Sequence, residues 1–128
     1  MSKQVIRTET APAPFQGAPY NQAIVANGFV FVSGQVALRP GDKELLDGGI
    51  AVQTEQVLNN LEAILIAAGS SFANLVKTTV FLQNLGDFAA MNEVYSRRIG
   101  DTPPARSTVE VAKLPSGALI EIEAVATV

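Results

Sequence analysis

Neither cysteine nor histidine occurs anywhere in the 128 residues. Their absence excludes disulfides, thiol nucleophiles, imidazole bases and zinc sites of the Cys/His type. Charge is scarce as well: Asp, Glu, Lys and Arg make up 16% of the chain, against about 25% in ordinary soluble domains. A domain of this size exposes much surface for its volume, and so few charges cannot solvate all of it. Part of the surface is therefore expected to be buried against other copies of the chain. The nine Lys and Arg are scattered, only Arg97 and Arg98 are adjacent, and the net charge is −3. No basic stripe exists to follow a phosphate backbone, which disfavours nucleic acid as a partner. No apolar run is long enough to span a membrane. Residues 1–16 carry neither the apolar core of an export signal nor an Arg-rich amphipathic pattern, so the cytoplasm is the default location.

What is present fits one packed domain over residues 1–128. Hydrophobic residues reach 48%, enough for a core. Residues 5–8 suggest a short first strand, and residues 10–20, with Pro12, Pro14, Gly17 and Pro19, a loop. Two apolar stretches, residues 23–26 and 29–32, flank Asn27-Gly28, the preferred pair of a tight hairpin turn. Ser33-Gly34-Gln35 then interrupts the apolar run, and a glycine there points to a bulge or a close approach of another backbone or a ligand. Residues 50–68 read as a helix with Val57, Leu58, Leu61, Ile64, Leu65 and Ala68 inward, closed by Gly69. Gln53, Glu55, Gln56, Asn59 and Glu62 are assigned to its other faces. Residues 75–83 alternate, with Val76, Thr78, Val80 and Leu82 on one side. Asp87 can cap a second helix to Ile99, with Phe88, Met91, Tyr95 and Ile99 on its core face and Gly100 at its end. Two final strands, residues 106–112 and 118–128, follow Pro103-Pro104. The order predicts an α+β sandwich, a mostly antiparallel sheet with two helices on one face.

Arginine, carboxylate and hydroxyl groups are what remain to carry chemistry. On the last strand Ile120, Ile122, Ala124 and Ala126 share one face and must meet the helices. Leu119, Glu121, Glu123 and Val125 share the other. A solvated sheet face would explain the two glutamates, but the apolar neighbours suit an interface that contains a polar pocket. Arg106 opens a strand directly after Pro103-Pro104-Ala105. It is either an exposed strand-end cation or a fixed guanidinium gripping a small carboxylate through two parallel hydrogen bonds. Tyr20 is either a surface tyrosine or a lid. Arg97-Arg98 reads most simply as cations completing a helix C-terminus.

The stretch Pro104-Ala-Arg-Ser-Thr-Val-Glu-Val-Ala-Lys-Leu-Pro115, followed by Ile120-Glu-Ile-Glu-Ala124, closely resembles the C-terminal signature of the reactive intermediate deaminase family (Rid, formerly YjgF). Pro19-Tyr-Asn-Gln-Ala23, Val32-Ser-Gly-Gln35, Val76-Lys-Thr-Thr-Val-Phe81 and Asp87-Phe-Ala-Ala-Met-Asn92 fit in the same order. The resemblance runs from about Pro12 to the end of the chain. It implies a chorismate-mutase-like α+β fold assembled as a homotrimer, with ligand pockets between subunits. It also implies hydrolysis of enamines and imines, such as 2-aminoacrylate, to 2-keto acids and ammonia, with no metal or cofactor. Carried over by position, Arg106 would bind the substrate carboxylate and Glu121 would orient the attacking water. Tyr20, Ser33, Gly34, Asn92 and Thr108 would line the pocket.

The chain departs from the family pattern in places. Thr108 stands where many members have cysteine. Ala18-Pro19-Tyr20 replaces Gly-Pro-Tyr after a small insertion at Phe15-Gln16-Gly17. Arg97-Arg98 falls where aromatics are common. Two other functions fit the same resemblance: a non-catalytic trimer that binds small carboxylic acids, and, ranked last for want of histidine and of a basic groove, an endoribonuclease.

Overall fold

The computed structural model describes residues 2–128. Its strands are β1 (Gln4–Ile6), β2 (Ala23–Ala26), β3 (Phe29–Gln35), β4 (Leu75–Leu82), β5 (Ala105–Glu110) and β6 (Ile120–Thr127). Its helices are α1 (Gly49–Ala67) and α2 (Phe88–Ile99). The six strands form one sheet in the order β1-β2-β3-β6-β4-β5. All neighbours run antiparallel except β4 and β5, which are parallel because α2 carries the chain across between them. The α+β sandwich read from the sequence is the architecture found.

Local chemistry explains the turns. Asn27 and Gly28 both take positive φ, 53° and 79°, as the tight β2–β3 hairpin requires. Helix α1 ends on Gly69 at φ 82°. The Gly69 N–H donates to the Ile66 carbonyl and the Ser70 N–H to the Leu65 carbonyl, the paired bonds of a Schellman stop. Ser70 Oγ then donates to the Thr127 carbonyl at 2.7 Å, tying the helix end to the end of β6.

The core lies between the helices and one face of the sheet. Ile120, Ile122, Ala124 and Ala126 of β6 are buried there with Val57, Leu58, Leu61, Ile64 and Leu65 of α1. Four expectations need correction. Asp87 stands at the start of α2, but its side chain makes no capping hydrogen bond. Val76 is exposed, because a register shift between Leu75 and Lys77 turns Leu75 inward in its place. Phe88 is exposed at the start of α2, and Val94 is buried instead. Gln53 is buried, not on an outer face, since its side chain donates to the Leu46 carbonyl and accepts from the Leu119 N–H.

The opposite sheet face has no helix over it. The pairing registers place Val5, Ile24, Phe29, Phe31, Lys77, Phe81, Val109, Val125, Glu121 and Glu123 on it. Of these, Val5, Phe29, Phe31 and Val109 are exposed large hydrophobics. Among the described residues no helix is long and apolar enough to cross a membrane.

Candidate functional site

The break in the β3 pattern builds the first part of the site. Val32 pairs with Ala124 and Gln35 with Ile122, so Ser33 and Gly34 together oppose Glu123 alone. That extra residue is a bulge, which bends a strand and re-aims its side chains. The Glu121 carboxylate lies directly over Gly34: a Cβ on Gly34 would sit 2.1 Å from Glu121 Oε2. The bulge expected at this glycine is found; what approaches it closely is a side-chain carboxylate of the same chain, not another backbone or a ligand. Ser33 is fixed on its other side, with N–H donating to the Gln22 carbonyl at 2.9 Å and Oγ donating to the Asn21 carbonyl at 2.6 Å.

The N-terminal loop closes over this point because Gln22 holds it. Gln22 is buried; its Oε1 accepts from the Thr8 N–H, and its Nε2 is shared among the carbonyls of Thr8, Ala11 and Pro12. Tyr20 braces the next stretch, its hydroxyl accepting from the Phe15 N–H. The result is a cleft of about 580 Å³ whose walls include Tyr20, Ser33, Gly34, Glu121 and Glu123. Burial is the main cause that pushes the Glu121 carboxyl above its ordinary range, and the nearby Glu123 charge adds to it. A carboxyl that holds its proton to higher pH than usual is better able to take a proton from water and to return it.

Arg106, Thr108 and Asn92 are elsewhere. Arg106 pairs in register with the buried Thr78, and Thr108 with the buried Val80, so both side chains leave the sheet on its helical side. The Arg106 guanidinium lies 4.8 Å from the Tyr95 ring centroid and 5.6 Å from that of Phe88, a cation–π clamp. Phe88, Asn92 and Tyr95 follow one another at the i, i+4, i+7 spacing of a single helix face, which puts Asn92 beside the clamped arginine. Tyr95 is itself anchored, its hydroxyl 2.7 Å from Thr78 Oγ1. Among the described residues Arg106 has no carboxylate partner. The Thr108 hydroxyl is buried without a hydrogen-bond partner.

The seven residues singled out in the sequence thus form two groups in one chain. Tyr20, Ser33, Gly34 and Glu121 share the β3–β6 cleft; Arg106, Thr108 and Asn92 stand at the free edge of β5. Glu121 pairs with Phe81, and Phe81 with Val109. Arg106 is therefore two strands and three residues away from Glu121, roughly 14 Å between Cα atoms, on the opposite face. No small ligand can touch both within a single copy. Sequence reasoning missed Gln22 as the clamp of the loop, although it lies inside a quoted motif. A glutamine between Pro-Tyr and a strand start gives no sign of its four backbone bonds. Among the described residues, no three Asp or Glu stand together in a way that could hold a metal ion.

A mixed sheet backed by two helices, with a carboxylate pressed onto a bulge glycine and a stacked arginine at the free edge, defines the class. Residues 8–128 match the family model described as Endoribonuclease L-PSP, and the chain belongs to this family, the Rid family whose motifs it carries. A RutC family protein of Pyrococcus abyssi is 50% identical over 126 residues, covering 98% of each chain. The human 2-iminobutanoate/2-iminopropanoate deaminase is 44% identical over 117 residues, 91% of this chain and 85% of that one. The crystal structure of Escherichia coli TdcF with bound serine superposes with a TM-score of 0.90 at 38% identity, covering 98% of each chain.

Proposed function

We propose that this protein is an imine deaminase that hydrolyses 2-iminobutanoate, 2-iminopropanoate and their enamine forms, such as 2-aminoacrylate, to 2-keto acids and ammonia. The observation that carries the reading is the Glu121 carboxylate, half-buried over Gly34 in a cleft and holding its proton above the ordinary range. Similarity to the human deaminase supports it. The working unit is a homotrimer, and each site joins the Glu121 cleft of one copy to the Arg106 edge of the next. Two features support that assembly: the exposed Val5, Phe29, Phe31 and Val109 on one uncovered sheet face, an apolar grouping of the kind found at association surfaces, and the separation of the two groups in one chain.

The chemistry follows from these groups. The enamine tautomerises to an imine, protonated on nitrogen, whose carbon is electrophilic. Arg106 grips the substrate carboxylate by two parallel hydrogen bonds. Glu121 takes a proton from water as its oxygen bonds to the imine carbon, giving a carbinolamine. It returns that proton to nitrogen, and as the C–N bond breaks the hydroxyl proton passes through the Glu121 carboxylate to the released ammonia and the carbonyl forms. Ammonia and the 2-keto acid depart. Holding the carboxylate, excluding bulk water and placing one water are all the step requires.

The test is a coupled assay in which an amino-acid oxidase generates imines from several amino acids and their decay is followed with and without this protein. Accelerated decay, with 2-keto acid and ammonia in equal amounts, is expected. Decay unchanged for every imine contradicts the reading.

A further inference from the structure

The β3–β6 cleft has two carboxylates and no cation. Glu123 lies two residues beyond Glu121 on the same face of β6 and lines the same cleft. Neither carboxylate has a Lys or Arg partner among the described residues. The walls that face them from the N-terminal loop and β3 are uncharged, with Gln16, Tyr20, Gln22, Ser33 and Gln35 as their polar members. On β4 the register puts Lys77 diagonal to Glu123. Lys77 is outside the cleft: it shares with Glu123 a smaller groove of about 140 Å³ further along the sheet, and its ammonium donates to Ser107 Oγ at 3.4 Å.

We propose that Glu123 is a specificity-determining residue, which keeps ligands with a second carboxylate out of the cleft. The proposal rests on the deaminase reading above. In that reading Arg106 of the neighbouring copy is the one anion-binding group at the site, and the carboxylate next to the imine carbon occupies it. A second carboxylate, at the end of a substrate side chain, would then have to lie among Glu121 and Glu123 with no cation to offset it. Two residues along a strand span about 7 Å, within the screening length at low salt, so like charges at that spacing repel although Glu123 is exposed. A neutral side chain meets no such penalty, and a positively charged iminium is attracted. The substrates selected are thus monocarboxylic imines from neutral amino acids, and the dicarboxylic imines of the acidic amino acids are refused. Glu123 does this without touching the reacting atoms.

The experiment compares kcat/KM for imines generated from alanine and from glutamate. The wild type should prefer the alanine imine by about tenfold or more at low salt, and the preference should shrink as salt screens it. Glu123→Gln should reduce the preference by about tenfold and remove its salt dependence, and Glu123→Asp should retain both. An unchanged ratio and salt dependence in Glu123→Gln overturns the proposal. The same ratio is read from binding alone, by titrating wild type and variant with 2-oxobutanoate and with 2-oxoglutarate. Should the wild type hydrolyse no imine at all, the deaminase reading fails, and the titration still decides on Glu123. Binding of 2-oxoglutarate that stays equally weak in Glu123→Gln then overturns its role.

Discussion

The β3–β6 cleft and the β5–α2 edge hold their functional groups by different means. In the cleft a carboxylate is positioned by backbone: the bulge at Ser33-Gly34 removes a Cβ, the Glu121 oxygens occupy that space, and Gln22 draws the loop over them. At the edge a guanidinium is positioned by side chains, between the rings of Tyr95 and Phe88. The cleft half-buries its carboxylate but has no Lys or Arg among its described walls. The edge presents a cation without a carboxylate partner, together with a buried hydroxyl that has nothing to bond. Each region lacks what the other supplies, which is the arrangement expected when the complete site spans two copies of one chain.

The largest predicted effect is at the edge. Arg106→Ala should lower kcat/KM for a carboxylate-bearing imine by one to four orders of magnitude, since removing one partner of a buried charge pair costs about 2–5 kcal/mol. Arg106→Lys should recover only part of this, because an ammonium lacks the planar two-point grip. Imines without a carboxylate should be poor substrates of the wild type and little affected by either change. Steady-state kinetics on paired substrates checks all three.

In the cleft, Glu121→Gln should cut kcat by roughly 10²–10⁴-fold with carboxylate binding retained. The same variant has a stability signature. Glu121 binds its proton more tightly in the fold than in the unfolded chain, with a folded value raised above 4.5. Its contribution is therefore fully present below 4.5 and is lost as pH rises through the folded value. Urea midpoints of wild type and Glu121→Gln should diverge over that window, with the wild type losing stability relative to the variant as pH rises. Parallel curves would mean that Glu121 is not held in a proton-retaining site.

Gly34→Ala sharpens the comparison from the backbone side. The new Cβ must displace the carboxylate of Glu121, the far end of a flexible side chain, so the fold should survive. A misplacement of about 1 Å can cost up to roughly 10²-fold in rate. A loss of kcat with an unchanged circular dichroism spectrum is expected. The smallest effect is predicted at Thr108, whose hydroxyl has no partner to lose. Thr108→Ala should keep most of the rate and should not lower the melting temperature, since removing an unpaired buried hydroxyl relieves a desolvation cost. A loss as deep as that of Arg106→Ala would contradict a purely lining role.

Much of this was legible in the chain because the signals are local. Asn27-Gly28 announces its hairpin, the α1 periodicity names its buried residues, and the alternation of β6 separates Ile120 and Ile122 from Glu121 and Glu123. What escaped depends on longer range or on a one-residue slip. The bulge at Val76 exchanges it with Leu75, and period-two reading has no means of seeing a shifted register. Phe88 looks apolar enough for the core, yet it lies at the start of α2, where Arg106 covers it. Gln53 and Gln22 are polar by type and buried by function, each fixing backbone groups distant in sequence. Most consequential, the motifs place all seven candidate residues in the chain without saying how one copy distributes them. That follows only from the strand order, which inserts β4 between β5 and β6 and turns Arg106 and Glu121 to opposite faces.

Mixed assemblies test the central claim most directly. Arg106→Ala and Glu121→Gln chains, each carrying a different tag, are co-expressed in equal amounts and the doubly tagged oligomers are assayed with the pure variants as controls. Light scattering should first give a mass of about three chains, as a closed trimer requires. If each site takes Arg106 from one copy and Glu121 from the next, every doubly tagged trimer keeps both groups intact at one of its three sites. Activity should then return to about a third of the wild-type rate, far above either variant alone. If mixed assemblies remain as inactive as the pure variants, the two groups do not act together across a subunit boundary, and the account of a shared site is wrong.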